Sequence, residues 1–193
     1  MAIARSTYVL LAIAIVVAIA ALAGQRPEDG VPDTLLGIEE ADIEAVTIDS
    51  GDRTLALERR EDGWQMLQPE VVPAETGTVV FLLNLLATEP HQEPLTIAPS
   101  EAAEFGFAAP LGEIDVAAEG NRYQIVLGDY DFSNQSIYAL VTGIPDSADL
   151  DGGLPVYLVS PNFEAAIAQP LEAWKAAEGA APVPSVPASP APP

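Results

Sequence analysis

The chain has 193 residues, in which 29 aspartates and glutamates outnumber 7 lysines and arginines and give a formal net charge of −22 at pH 7. Such a surface repels phosphate backbones and anionic lipid headgroups, so we expect no nucleic-acid partner. There is no cysteine and a single histidine, which excludes disulfides, thiolate nucleophiles and histidine-rich zinc sites. The acidic surface keeps the protein soluble or attracts a basic partner, and the sequence leaves both interpretations open.

The N-terminal segment predicts a membrane anchor at residues 1–25. Arg5 precedes an uncharged run from Ser6 to Gln25, and a helix of about 20 residues spans the hydrocarbon core of a bilayer. Arg5 and the terminal amine favour a cytoplasmic N-terminus, which places the rest of the chain in the periplasm, a lumen or the cell exterior. A signal peptide is the alternative, because Ala21-Leu22-Ala23 has the small-x-small pattern of a cleavage site.

Three further segments are predicted after the anchor. Residues 26–40 are punctuated by proline and glycine and predict a tether. Residues 41–178 predict one α+β domain of ordinary size. Residues 179–193 are almost wholly alanine, proline, serine and valine, which predicts an extended, disordered tail.

Alternating apolar and polar residues predict an antiparallel meander at the start of the domain. Its three strands and two turns are Asp42–Asp49, Ser50-Gly51-Asp52, Arg53–Arg60, Glu61-Asp62-Gly63 and Trp64–Gln68. Trp64 opens the third strand, where we expect its indole to be a core or sheet-edge anchor. A tryptophan that stacks on a ligand is the alternative.

A helix is predicted to follow the meander. Pro69 and Pro73 stop the sheet, because proline cannot donate to a strand ladder. Apolar residues at helical spacing then predict a helix over Ala74–Thr88. Glu75 and Thr76 suit its first turn as caps.

The second half of the domain again contains strands followed by a helix. The predicted elements are a capped helix at Ala98–Phe107 with Ser100 as N-cap and Gly106 as stop, a hairpin over Gly112–Asp129, strands at Ser136–Thr142 and Leu154–Ser160, and a helix after Ser160 broken near Pro170. This order predicts an α+β fold with mainly antiparallel sheet and two or three packed helices. An internal duplication is a further hypothesis.

The sequence supports no catalytic site. His91 lies alone in a proline-bracketed loop, and we expect it to be solvent-exposed. The chain contains no Gly-x-Ser-x-Gly nucleophile motif, no P-loop and no dinucleotide-binding motif. We therefore name no catalytic residue, predict no cofactor and predict that the protein is not an enzyme.

Two acidic loops match calcium-binding loops only in part. Their ligand-type residues are Asp146, Asp149 and Asp151 in one, and Asp129, Asp131 and Ser133 in the other. Leu158 and Leu140 take the twelfth positions, where an EF-hand has a bidentate glutamate. We therefore predict no tightly bound metal, and weak calcium binding by these loops stays open.

Four motifs in a fixed order carry a family resemblance. They are Gly63-Trp64 with Pro69, Ala74-Glu75 and Leu82 to Leu86; Gly106-Phe107 with Pro110; Leu127-Gly128 with Tyr138; and Val156 to Phe163. This pattern resembles the family called domain of unknown function 4340, whose members are membrane-anchored extracytoplasmic proteins. Phe107 stands where the family has leucine, and Glu75 where aspartate is commoner.

The resemblance, which covers residues 40–175, implies an accessory role. The family has no assigned catalytic residues, and its members are often encoded beside ABC-type export permeases and gliding-motility auxiliary proteins. The leading hypothesis is a non-enzymatic accessory protein, held in the membrane and bound to a protein partner in an ABC-type transport or gliding-motility-like complex. The alternatives are a binding or assembly module of another envelope or lumenal membrane complex, and an exported hydrolase.

Overall fold

The computed structural model describes residues 34–144 and 152–177, all within the second of the two units into which the chain divides, Pro32–Pro193. Among these residues no helix is long and apolar enough to cross a membrane. The predicted anchor, the tail and the acidic loop of Asp146, Asp149 and Asp151 lie outside them.

A single antiparallel sheet organises the described chain. Its nine strands are β1 (Ile43–Asp49), β2 (Thr54–Arg60), β3 (Gly63–Gln68), β4 (Val72–Pro73), β5 (Leu95–Ile97), β6 (Gly112–Ala118), β7 (Asn121–Tyr130), β8 (Ile137–Thr142) and β9 (Leu154–Val159). They lie in the order β4-β3-β2-β1-β6-β7-β8-β9-β5. The predicted α+β class with mainly antiparallel sheet is confirmed.

The helices are few and short. They are α1 (Thr76–Thr88), α2 (Asn162–Ile167) and 3₁₀ helices at Glu40–Asp42, Pro99–Phe105 and Leu171–Trp174. Glu75 is the N-cap of α1, because its carboxylate accepts the Thr78 N–H at 2.6 Å. The predicted helix therefore forms, and the predicted break near Pro170 separates α2 from the last 3₁₀ helix.

Two predictions at helix and strand ends are wrong. Ser100 does not cap its helix: Ala98 is the N-cap residue, and the Glu101 carboxylate accepts the Ala98 N–H at 2.8 Å. Pro73 does not stop the sheet, because it pairs with Gln65 from the short strand β4. Proline is tolerated there because it lacks only the N–H donor, and its carbonyl still accepts the Ala176 N–H at 3.0 Å on the other side of β4.

The hydrophobic core lies on one face of the sheet, beneath α1 and α2. Its members include Val46, Ile48, Leu55, Leu57, Met66, Leu82, Leu83, Leu86, Ile114, Val116, Ile125, Ile137, Tyr157, Phe163 and Trp174. Leu35, Leu36 and Ile38 also lie in this core, each at most 4% exposed. The segment from Thr34 therefore belongs to the domain and not to the tether predicted at 26–40, because its apolar side chains complete the core.

The opposite face of the sheet is covered in part by the 3₁₀ helix Pro99–Phe105. The Phe105 ring meets the Tyr138 ring edge-on at 4.9 Å. A Cβ at Gly128 would lie 2.1 Å from the Phe105 carbonyl oxygen, so only glycine allows this approach. Two of the motifs that carry the family resemblance, those of Gly106 and Gly128, thus pack together.

The two tryptophans have different environments. Trp174 is fully buried, and its carbonyl accepts the Glu75 N–H at 2.8 Å. Trp64 is only partly buried against the core, with the Arg59 guanidinium 5.2 Å from its ring centroid. Trp174, which the sequence analysis did not single out, is therefore the larger core anchor.

Replacing each tryptophan by alanine tests this difference. Trp174→Ala removes a fully buried ring and is expected to lower the free energy of unfolding by about 3–5 kcal/mol. Trp64→Ala removes a partly buried ring and is expected to cost about 2 kcal/mol. Urea unfolding followed by circular dichroism measures both, and an equal or larger loss for Trp64→Ala would contradict the assignment.

Candidate functional site

Two of the five basic side chains in the described residues are held by backbone carbonyls. Arg53 Nη2 donates to the carbonyls of Ile167 and Gln169 at 3.0 and 2.9 Å, at the end of α2. Arg59 Nε donates to the Ile43 carbonyl at 2.9 Å, and its Nη2 to that of Glu40 at 2.7 Å. Both guanidinium groups therefore satisfy backbone carbonyls.

Two further cations pair with neighbouring carboxylates. Lys175 binds Glu172 at 2.8 Å and also contacts Glu70. Arg60 binds Glu58 at 2.7 Å, and both side chains are substantially exposed. These pairs neutralise one another locally, so they add little positive potential to the surface.

A groove of about 570 Å³ crosses one end of the sheet. It is lined by Glu44, Ala45, Glu58, Arg59, Arg60, Glu61 and Ala117. A smaller one of about 240 Å³ is lined by Arg60, Asp62, Gly63, Trp64, Gln65 and Pro73. The Arg59 guanidinium lies over the Trp64 ring. A ligand that stacks on Trp64 would have to displace it. The mixed charges and the occupied arginines give neither groove a defined anion or cation site.

Glu89 is a buried carboxylate at the C-terminal end of α1. Its Oε1 accepts the Ser160 N–H at 2.8 Å, just after β9, and its backbone carbonyl accepts the Leu35 N–H at 2.7 Å. Burial raises the pKa of Glu89, and the hydrogen bond from Ser160 offsets this only in part. Glu89 thus joins α1, the first described segment and the end of β9.

His91 is partly buried, not exposed as predicted. Its ring lies 6.2 Å from that of Tyr157, a core residue of β9. The loop after Pro90 turns back toward the sheet, and this places the imidazole against an aromatic neighbour. This position indicates that His91 has a packing role.

The loop Asp131–Ser136 joins β7 to β8 and contains part of one predicted calcium-like motif. The Asp131 carboxylate accepts hydrogen bonds from Ser133 Oγ at 2.7 Å, from Gln135 N–H at 3.0 Å and from Ser136 N–H at 3.1 Å. These bonds, chiefly that from Ser133, lower the pKa of Asp131. The carboxylate is therefore already satisfied by its own loop.

Phe132 follows Asp131 and is 98% exposed. It is the most exposed of the large hydrophobic side chains in the described chain. Ser133, Asn134 and Gln135 after it are also exposed. Because its neighbours in sequence are polar, no hydrophobic pattern in the sequence marks Phe132 as an exposed apolar residue.

Next to this loop, Tyr130 links β7 to α2. Its hydroxyl donates a hydrogen bond to the Glu164 carboxylate, and this bond raises the pKa of Tyr130. Glu164 also lines a small cavity with Ser50, Asp52 and Arg53, among others. The bond fixes the base of the loop against α2.

Within residues 34–144 and 152–177, no group of three or more histidine, aspartate or glutamate side chains is arranged to hold a metal ion. The predicted absence of a bound metal, of a cofactor and of catalytic residues stays a prediction.

The burial of Glu89 predicts a pH dependence of stability. Its pKa in the folded protein is raised above the ordinary value of 4.5, so the native state binds this proton more tightly than the unfolded state. Its contribution to the free energy of unfolding is therefore greatest below about pH 4.5 and is lost as the pH rises through the folded pKa. Glu89→Gln retains an acceptor for Ser160 but cannot ionise.

The stability of Glu89→Gln relative to the wild type is accordingly expected to increase as the pH rises from about 4 to about 8. Urea unfolding at a series of pH values measures this difference. Glu93→Gln, at an exposed position of the same loop, is the matched control and should show a smaller trend. A pH-independent difference for Glu89→Gln would show that the carboxylate is not destabilised by burial.

Metal titration tests the prediction that the protein binds no metal ion tightly. Because the Asp131 carboxylate already accepts three hydrogen bonds, we expect calorimetry with calcium and with zinc to show no binding tighter than about millimolar. Micromolar binding of either ion would contradict the prediction.

No protein-family model, curated protein or solved structure matches this chain. The resemblance to the domain of unknown function 4340 family therefore stays a prediction based on the four motifs.

Proposed function

We propose that the protein is a non-enzymatic, membrane-anchored accessory protein whose acidic domain binds a protein partner outside the cytoplasm. The observation that carries the proposal is the combination of an uncharged run, Ser6–Gln25, with a following chain that contains all 29 acidic residues. The run is long enough to cross a bilayer. A retained N-terminus-in anchor then places the acidic domain in the periplasm, in a lumen or at the cell exterior.

The charge distribution supports protein binding by this domain. Its arginines at positions 53 and 59 bind backbone carbonyls, and Lys175 binds two glutamates. Few cations are left to offset the surface carboxylates, so the domain attracts basic surfaces and repels phosphate and anionic lipid. Charge complementarity of this kind mainly accelerates association and suppresses wrong partners.

The identity of the complex rests on the resemblance. The packing of Gly106 and Phe107 beside Gly128, and of Phe105 on Tyr138, gives two of the shared motifs a structural role. On that basis the partner is a subunit of an ABC-type transport or gliding-motility-like complex. The alternative is a binding or assembly module of another envelope or lumenal membrane complex, which the same acidic surface would serve.

Topology is the first test. Protease added to the outer face of intact cells or spheroplasts is expected to digest the domain, because the anchor leaves it outside. Protection until lysis would contradict the proposed location. A mature N-terminus at Gly24 would instead establish the signal-peptide alternative.

Purification from detergent separates the leading proposal from its alternative. Transporter subunits should co-purify with the tagged full-length chain, and the yield should fall when salt is raised to about 0.5 M, where surface charges are screened. Co-purification of a different envelope complex would establish the alternative. A chain that purifies alone at low salt would contradict both.

A further inference from the structure

We infer that Phe132 is the side chain through which the domain docks on its partner, and that the partner presents an apolar pocket rimmed by lysine or arginine. The inference rests on the proposed function, because it names the contact by which the domain engages a protein. It depends on the conformation of one loop, on the charges around it and on its position in the fold.

The loop is held in one conformation without any help from Phe132. Besides the three bonds to the Asp131 carboxylate, the Asp131 N–H donates to the Ser136 carbonyl at 2.9 Å and the Asn134 N–H to the Asp131 carbonyl at 3.0 Å. Asn134 has a φ of 56°, in the left-handed region that asparagine tolerates better than most residues. The phenyl ring thus projects from a framework that its neighbours hold.

A fixed, solvated aromatic ring is well suited to binding. A residue on a preorganised loop loses little conformational entropy when it docks, and aromatic rings buried in central pockets are among the commonest hot spots of interfaces. Within the described residues the ring has no apolar partner, since it is 98% exposed. Its full burial in a pocket would therefore be gained entirely on binding.

The charges around the loop identify the partner. Asp129 is exposed beside it, and Glu164 lies at its base through the hydrogen bond from Tyr130. None of the loop residues Asp131–Ser136 is basic. An exposed aromatic ring on a loop with carboxylates at its base matches a protein pocket edged by cations. It does not match an anionic membrane surface, which attracts lysine and arginine.

The loop lies at the end of the sheet where the described chain begins. Ile137, directly after the loop, pairs with Val159. The next residue, Ser160, donates to Glu89, whose carbonyl accepts the Leu35 N–H. This short series of contacts connects the loop to Leu35, near the start of the described residues.

Photo-crosslinking in the native cells tests the inference. A benzophenone amino acid replaces Phe132 in the full-length chain, and in a matched control it replaces Val71, an exposed apolar residue (67% exposed) before β4. We expect one protein adduct from position 132 and none from position 71. Mass spectrometry should place the adduct in a partner segment rich in lysine or arginine. No adduct, an equal adduct from position 71 or a partner segment without basic residues would overturn the inference.

Substitutions give a second, independent measurement. With the crosslinker at Gln135, Phe132→Ala is expected to lower the adduct yield roughly thirtyfold, as removal of a hot-spot side chain does. Phe132→Trp should retain most of it. The melting temperatures of both variants should equal that of the wild type, because the loop bonds do not involve the ring. An unchanged yield with Phe132→Ala would overturn the inference.

Vesicles distinguish a lipid surface from a protein. The full-length chain is inserted into an excess of nanodiscs without detergent and is then mixed with vesicles of phosphatidylcholine, or of phosphatidylcholine and phosphatidylserine. We expect no sedimentation with either kind of vesicle that depends on Phe132. Sedimentation that Phe132→Ala abolishes would assign the ring to the membrane and overturn the inference. If transporter subunits co-purify but no adduct forms at position 132, the docking inference fails and the proposed function stands. If position 132 instead forms an adduct with a basic protein of another complex, the docking inference stands and the proposed transporter partner fails.

Discussion

The pairing of β1 with β6 at the centre of the sheet is the contact on which the rest of the fold depends. Val46 lies opposite Val116 and Ile48 opposite Ile114, and all four side chains are fully buried. Apart from β5 with β9, every other pair joins strands that follow one another along the chain. Without the central pairing, the meander β1–β4 and the meander β6–β9 would be two separate sheets, and the apolar side chains that meet across β1 and β6 would lose their partners. The outward order of strands from this centre matches the duplication hypothesis, which stays a prediction.

The layer over the core is fastened at both ends. The C-terminal segment packs against the N-terminal end of α1. Trp174 is buried there, and the Thr78 hydroxyl donates to the Ala173 carbonyl at 2.8 Å. At its other end, Glu89 binds Ser160. A carboxylate is an expensive side chain to bury, so its place at the junction of three segments indicates that it orders them. The described domain thus combines a sheet joined at its centre with a helix held at its two termini.

The carboxylates of the domain fall into two classes. A few are used inside the structure: Glu75 caps α1, Asp131 closes its loop and Glu89 joins segments. Most of the rest remain on the surface, while Arg53 and Arg59 bind backbone carbonyls. The first class makes the framework rigid, and the second gives the surface a negative electrostatic field. A rigid loop that exposes Phe132 within that field provides a directional contact, whereas the field alone would attract basic surfaces without selecting one.

Local patterns in the sequence were enough to predict most of the elements. Alternation gave the central strands, the turn at Glu61-Asp62-Gly63 gave the second hairpin, and the apolar spacing before Pro90 gave α1. These signals are local because a strand or a helix turn is set by neighbours a few residues away. The lopsided charge and the uncharged run at the N-terminus, from which the proposed function follows, are likewise properties of the sequence alone.

Only the tertiary structure decided which residues meet across the chain. Strands β4 and β5 are too short to show a period, and they exist because partners lie beside them. Trp174 and Trp64 look alike in sequence, and their different burial depends on what packs over them. The exposure of Phe132 and the burial of Glu89 run against their chemical types. The loop bonds beside Phe132 lie within Asp131–Ser136. The burial of Glu89 was set by its contacts with Ser160 and Leu35, which are long-range contacts that no window of sequence contains.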